Sequence, residues 1–113
     1  MTEPRESIVH ICTRGDWEEA KKVGEYRAAS LESEGFIHCS RSDQVLTVVN
    51  CFYADVPDLV LLWIDSQRVE VEIRWEPADG DVFPHLYGAL NVEAVDVVKK
   101  LVPDSDGVYR TLP

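Results

Sequence analysis

The residues of this chain best suited to chemistry near neutral pH are its three histidines, His10, His38 and His85. Imidazole serves as acid, base, hydrogen-bond donor, acceptor or metal ligand. His10 stands between Val9 and Ile11, and His38 between Ile37 and Cys39. Side chains alternate along a strand, so each of these histidines faces away from its two neighbours. His85 follows Pro84 in the string Phe83-Pro84-His85-Leu86-Tyr87-Gly88, which reads as a stiff aromatic turn. The joint expectation is one pocket, lined by all three histidines, for a small nucleotide-like ligand.

Other side chains extend that chemistry. His38 and Ser40 precede what reads as a helix N-terminus, where free N–H groups and the helix dipole favour an anion. Arg41 stands beside them as a partner for phosphate or carboxylate. Glu76 is the best acid or base among many carboxylates, because Trp75 next to it would desolvate it. Three histidines would also satisfy zinc with a water, giving a metal-dependent hydrolase as a further alternative. No close pair of histidines at ligand spacing supports that use, and no residue is assigned to a metal. Cys39 as a nucleophile competes with a buried, inert thiol. No phosphate-cradling glycine loop and no nucleophile-elbow string is present.

These residues need elements to position them. Ser7–Cys12 reads as a first strand, and Thr13 with Asp16 forms a capping pair that starts a helix over Arg14–Val23, ended by Gly24. Trp17, Ala20 and Val23 are expected on its buried face. A short edge strand at Tyr26–Ala28 and a polar turn at Ser30–Gly35 precede the run Phe36–Cys39. Ser40 or Ser42 would then cap a second helix running to about Tyr53, with Val45, Leu46, Val48, Val49, Phe52 and Tyr53 on its apolar face. Leu59–Ile64 is apolar throughout and reads as a central strand buried on both faces. Val69, Val71, Ile73 and Trp75 alternate with charged residues, a strand with one wet face. Pro77–Gly80 reads as a loop, Val92–Leu101 as a last strand, and Val108–Leu112 as a segment pairing back. The fold class is α+β, a bent, split sheet with two N-terminal helices and a central cleft.

Composition sets the outer limits. The 113 residues fit one domain, 1–113, with its core over about 7–101, and 45% hydrophobic content supports a real core. Eleven basic residues against 21 acidic ones leave a formal charge of −10, which disfavours binding to a DNA or RNA backbone. The charged start and short apolar runs suggest neither a leader nor a membrane span, and the unpaired cysteines suit reduced thiols, so a cytoplasmic location is expected.

The strings IVHICTRGDWEEAKKVGEY, SLESEGFIHCS, DLVLLWID and FPHLYG, in this order from Ile8 to about Leu101, resemble the proteins called domain of unknown function 952. That family is similar in outline to the ADP-ribosyltransferase fold, the RNA 2′-phosphotransferases above all. The resemblance implies that His10 with Thr13, and Ile37-His38-Cys39-Ser40, border a cleft for NAD, ADP-ribose or a related nucleotide. His10 would orient the ribose, His38 and Arg41 would hold phosphate, Tyr87 would contact the ligand, and Glu76 or His85 would move a proton. Val9 stands where the phosphotransferases carry arginine, and Ile11 where they carry glycine. The alternative function is a non-enzymatic module that binds a metabolite in the same cleft.

Overall fold

An apolar run with no polar alternation must be covered on both sides, and this requirement organises the molecule. The computed structural model describes residues 7–113. The run becomes strand β5 (Leu59–Asp65), which pairs antiparallel with β1 (Ser7–Thr13) on one side and β9 (Val95–Lys100) on the other. With β4 (Ser40–Arg41) outside β1, the strand order is β4-β1-β5-β9. Val60, Leu62 and Ile64 point into one core and Leu59 and Leu61 into another, all of them fully enclosed. The buried central strand read from the sequence is observed.

Each face has its own cover. Helix α3 (Val45–Phe52) lays Val45 and Val49 against Val9, Ile11 and Leu61. The opposite face carries Trp17 and Ala20 of α1 (Arg14–Val23), with Tyr26 of β2 (Glu25–Tyr26) and Ile37 of β3 (Ile37–His38). The α1 boundaries agree with the sequence reading: Thr13 accepts a hydrogen bond from the Asp16 N–H, and Gly24 adopts φ 100° as a left-handed stop. β2 pairs with β8 (Leu90–Asn91), and β3 pairs with β7 (Asp81–Leu86), which pairs with β6 (Ile73–Ala78). All of these pairings are antiparallel, and the chain is α+β.

Several local readings are corrected. A third helix, α2 (Ala29–Glu34), replaces the polar turn; Gly35 ends it at φ 91° and the Ser30 hydroxyl ties it to the Phe36 carbonyl. Ser40 caps nothing. It lies in β4 opposite Val9, and α3 begins after Gln44, whose side-chain oxygen instead accepts from the Arg41 N–H. The wet strand starts only at Ile73, and Pro77 and Ala78 extend it, leaving Asp79-Gly80 as the hairpin turn. Phe83–Leu86 is strand, not stiff turn. A 3-10 turn at Val92–Ala94 precedes β9, and Val23 and Phe52 are exposed. The C-terminal segment forms no strand; Asn50 bonds both the N–H and the carbonyl of Tyr109 and seats that ring in the core.

Candidate functional site

Strand pairing decides which of the singled-out side chains meet. His38 lies opposite His85, and His85 opposite Arg74, so these residues share one face of the β3-β7-β6 sheet. Alternation adds Phe83 and Tyr87 from the segment around β7, and Glu76 and Ala78 from β6. The other face carries Ile37, Leu86 and Ile73 toward the core. The string FPHLYG is therefore a two-faced strand: Phe83, His85 and Tyr87 look one way while Pro84 and Leu86 are buried the other way.

On the first face the rings form a cluster. Phe36 stacks on His85 with centroids 4.1 Å apart, and the His38 ring stands edge-on to His85 at 5.2 Å. His85 Nδ1 donates to Glu76 Oε1 at 2.7 Å, and the Tyr87 hydroxyl donates to the same oxygen at 2.6 Å. Those bonds, Tyr87 first and His85 second, hold the Glu76 carboxyl below its ordinary value. The sequence reading had Glu76 desolvated by Trp75. The direction is reversed because adjacent strand residues face opposite ways: Trp75 pairs with Pro84 on the far face and cannot cover Glu76. Arg74 lies over the Tyr87 ring at 4.4 Å and is paired with Glu72.

Beside this cluster a cleft of about 330 Å³ opens between the sheet and the C-terminal half of α3. His38, Ser40, Asp79 and His85 supply its polar wall; Phe83, Phe52 and Tyr53 supply much of the apolar one. Val48 and Phe52, one turn apart on α3, both face it, and Phe52 keeps 68% of its surface exposed at the mouth. His85 is only 6% exposed. Its Nδ1 is bound to a carboxylate that can only accept, so the proton sits on Nδ1. Nε2 has no hydrogen-bond partner among the described residues. In the neutral ring Nε2 is an acceptor directed at whatever occupies the cleft.

The expected trio does not assemble. His10 is buried in the sheet interior with both nitrogens used: Nδ1 donates to the His38 carbonyl at 2.6 Å, and Nε2 accepts from the Tyr26 hydroxyl at 2.9 Å. Burial lowers its pKa to about 4, so it is neutral, and it neither orients a ribose nor lines the cleft. His38 is half exposed, its Nε2 bonded to Glu34. Thr13 is occupied in capping α1 and lies outside the cleft lining. Arg41 is also outside the lining, ion-paired with Asp43 and Asp81. Tyr87 reaches Glu76 rather than the cleft. Among the described residues no group of three His, Cys, Asp or Glu side chains is placed to hold a metal ion, which removes the three-histidine hydrolase. Burial pushes the Cys39 thiol far up, so it is no ready nucleophile.

Sequence reasoning missed Phe36, Phe52 and Phe83 as parts of the site. Phe36 precedes β3, and only the short strand pairing shows that it stacks on His85. No helix among the described residues is long and apolar enough to cross a membrane. The crystal structure of protein CC0527 from Caulobacter crescentus is similar to this chain, with a TM-score of 0.84 at 32% identity over 92% of this chain and 93% of that one. Its solution NMR structure gives a TM-score of 0.81 at the same 32% identity, covering 93% of this chain and 92% of that one. No curated protein matches the sequence significantly. Residues 11–98 match the family model described as protein of unknown function (DUF952), and the chain belongs to that family.

Proposed function

We propose that this chain is a small-molecule-binding protein whose cleft takes a nucleotide-like ligand by its planar base. The observation that carries the reading is His85: a buried imidazole, its tautomer fixed by Glu76, with Nε2 on an aromatic cleft and without a partner among the described residues. Pockets that bind small organic ligands combine apolar and aromatic walls with a few fixed polar groups, and this cleft has that composition. A volume near 330 Å³ suits a base or nucleoside rather than a dinucleotide. Calorimetry and amide NMR with the common ribonucleosides test the reading. Heat of binding, with shifts confined to residues around His38, Phe83 and His85, is expected; neither heat nor shifts at millimolar ligand, with folded protein, discards it.

The Glu76–His85 bond supports a second reading, in which the site is an enzyme and His85 Nε2 moves a proton. In that role Glu76 holds the ring in the productive tautomer and stabilises the imidazolium that forms. A Glu76→Gln variant would then lose turnover while keeping ligand affinity. Incubation with whichever nucleoside binds is the turnover probe: a product formed by the native protein and not by Glu76→Gln supports the enzyme, and no product leaves the binding module.

A further inference from the structure

Among the described residues, the lining of the cleft offers a phosphate no Lys or Arg as counter-charge. Asp79, at the tip of the β6–β7 hairpin, is the one Asp, Glu, Lys or Arg among the described residues of its lining. Glu34 sits on His38 Nε2, and Glu76 lies directly behind His85. Two guanidinium groups are close to these elements, and carboxylates engage both: Arg41 pairs with Asp43 and Asp81, Arg74 with Glu72. The helix that walls the cleft presents Val48, Phe52 and Tyr53, its C-terminal half, whose carbonyl ends carry negative partial charge. A whole-chain charge of −10 adds repulsion of the same sign.

An uncharged heteroaromatic ring meets none of these objections. Phe52, Tyr53 and Phe83 cover its faces and edges, and a ring N–H or amino group donates to His85 Nε2. We infer that the cleft selects uncharged, planar, donor-bearing rings of the base or nucleoside class and rejects their phosphorylated forms. The inference rests on the ligand-binding reading of the same cleft. It parts company with NAD and ADP-ribose, whose pyrophosphate meets no basic side chain among the described residues of the cleft lining; the helix N-terminus expected to hold it begins after Gln44, with Ser40 held in a strand.

Titration of the full chain with each common ribonucleoside and its 5′-monophosphate, at one pH and ionic strength, is the test. The nucleoside that binds is expected to do so at least about tenfold more tightly than its monophosphate. Asp79→Asn is expected to narrow that ratio by about threefold or more. Asparagine tolerates the left-handed backbone at position 79, where φ is 51°, so this variant keeps the hairpin. A monophosphate that binds as tightly as its nucleoside overturns the charge selection while leaving the binding reading intact. No binding by any member of the panel, with folded protein, overturns both.

Discussion

His10 shows how one residue type takes opposite roles in one fold. Its ring lies between a backbone carbonyl and a tyrosine hydroxyl, so each nitrogen has one partner and the neutral tautomer is dictated: Nδ1 carries the proton and Nε2 accepts. Replacing it with alanine empties a ring-sized space and strands two buried polar groups. His10→Ala is therefore expected to cost about 2–4 kcal/mol in urea unfolding. Tyr26→Phe, which only leaves Nε2 unsatisfied, is expected to cost about 1–2 kcal/mol. A loss below about 0.5 kcal/mol for both would mean the network is not formed. His85 is a similarly buried imidazole whose Nε2 has no hydrogen-bond partner among the described residues, and on the reading proposed above that difference separates a structural histidine from a ligand-binding one. The sequence reading of His10 had its direction right, away from Val9 and Ile11. That face of β1, however, is a covered core rather than an open cleft.

At the scale of the element, β7 is where the site is made. Its alternation puts Phe83, His85 and Tyr87 on the side of the ring cluster and anchors Pro84 and Leu86 on the other, so a single register slip would exchange the two sets. Gly88 closes the segment because the chain must pass against Val71: a Cβ there would lie 2.5 Å from Val71 Cγ1, and φ is 156°. Gly88→Ala is expected to destabilise by about 1–3 kcal/mol, and adding Val71→Ala should recover part of the loss. Strict additivity in the double variant would show that the two positions do not meet. Long periodic elements such as β1, α1 and β5 were legible in the sequence, since seven to ten residues carry a period and a cap. β3 and β4 have two residues each and no period, and Ser40 imitates a cap although α3 begins after Gln44 with no side-chain cap. The site was half legible for the same reason. His38, Ser40 and His85, singled out by residue type, all line the cleft, while the aromatic wall depends on pairings that composition does not encode.

For the whole molecule, the consequence of burying His10 is a stability that depends on pH. Burial depresses its folded pKa to about 4 from the ordinary 6.5, so between those values the unfolded chain binds a proton that the folded chain refuses. The contribution is fully present above pH 6.5 and is lost as pH falls toward 4, about 3 kcal/mol in all, with about 2 kcal/mol already gone between pH 7 and 5. That is a large share of the roughly 5–15 kcal/mol that holds a typical domain folded. Other groups push the same way only in stronger acid: Glu76, Asp81 and Asp106 have carboxyls held low by hydrogen bonds from Tyr87, Gln44 and Arg110 respectively, and they surrender stability as they protonate. His10→Gln separates the two effects, because glutamine keeps a hydrogen-bonding side chain but does not titrate. Urea unfolding of the native protein is expected to lose about 2 kcal/mol from pH 7 to 5 beyond whatever the variant loses. Equal pH slopes for the two proteins would show that His10 is open to protonation in the folded state, and the neutral bridge between Tyr26 and the His38 carbonyl would have to be given up.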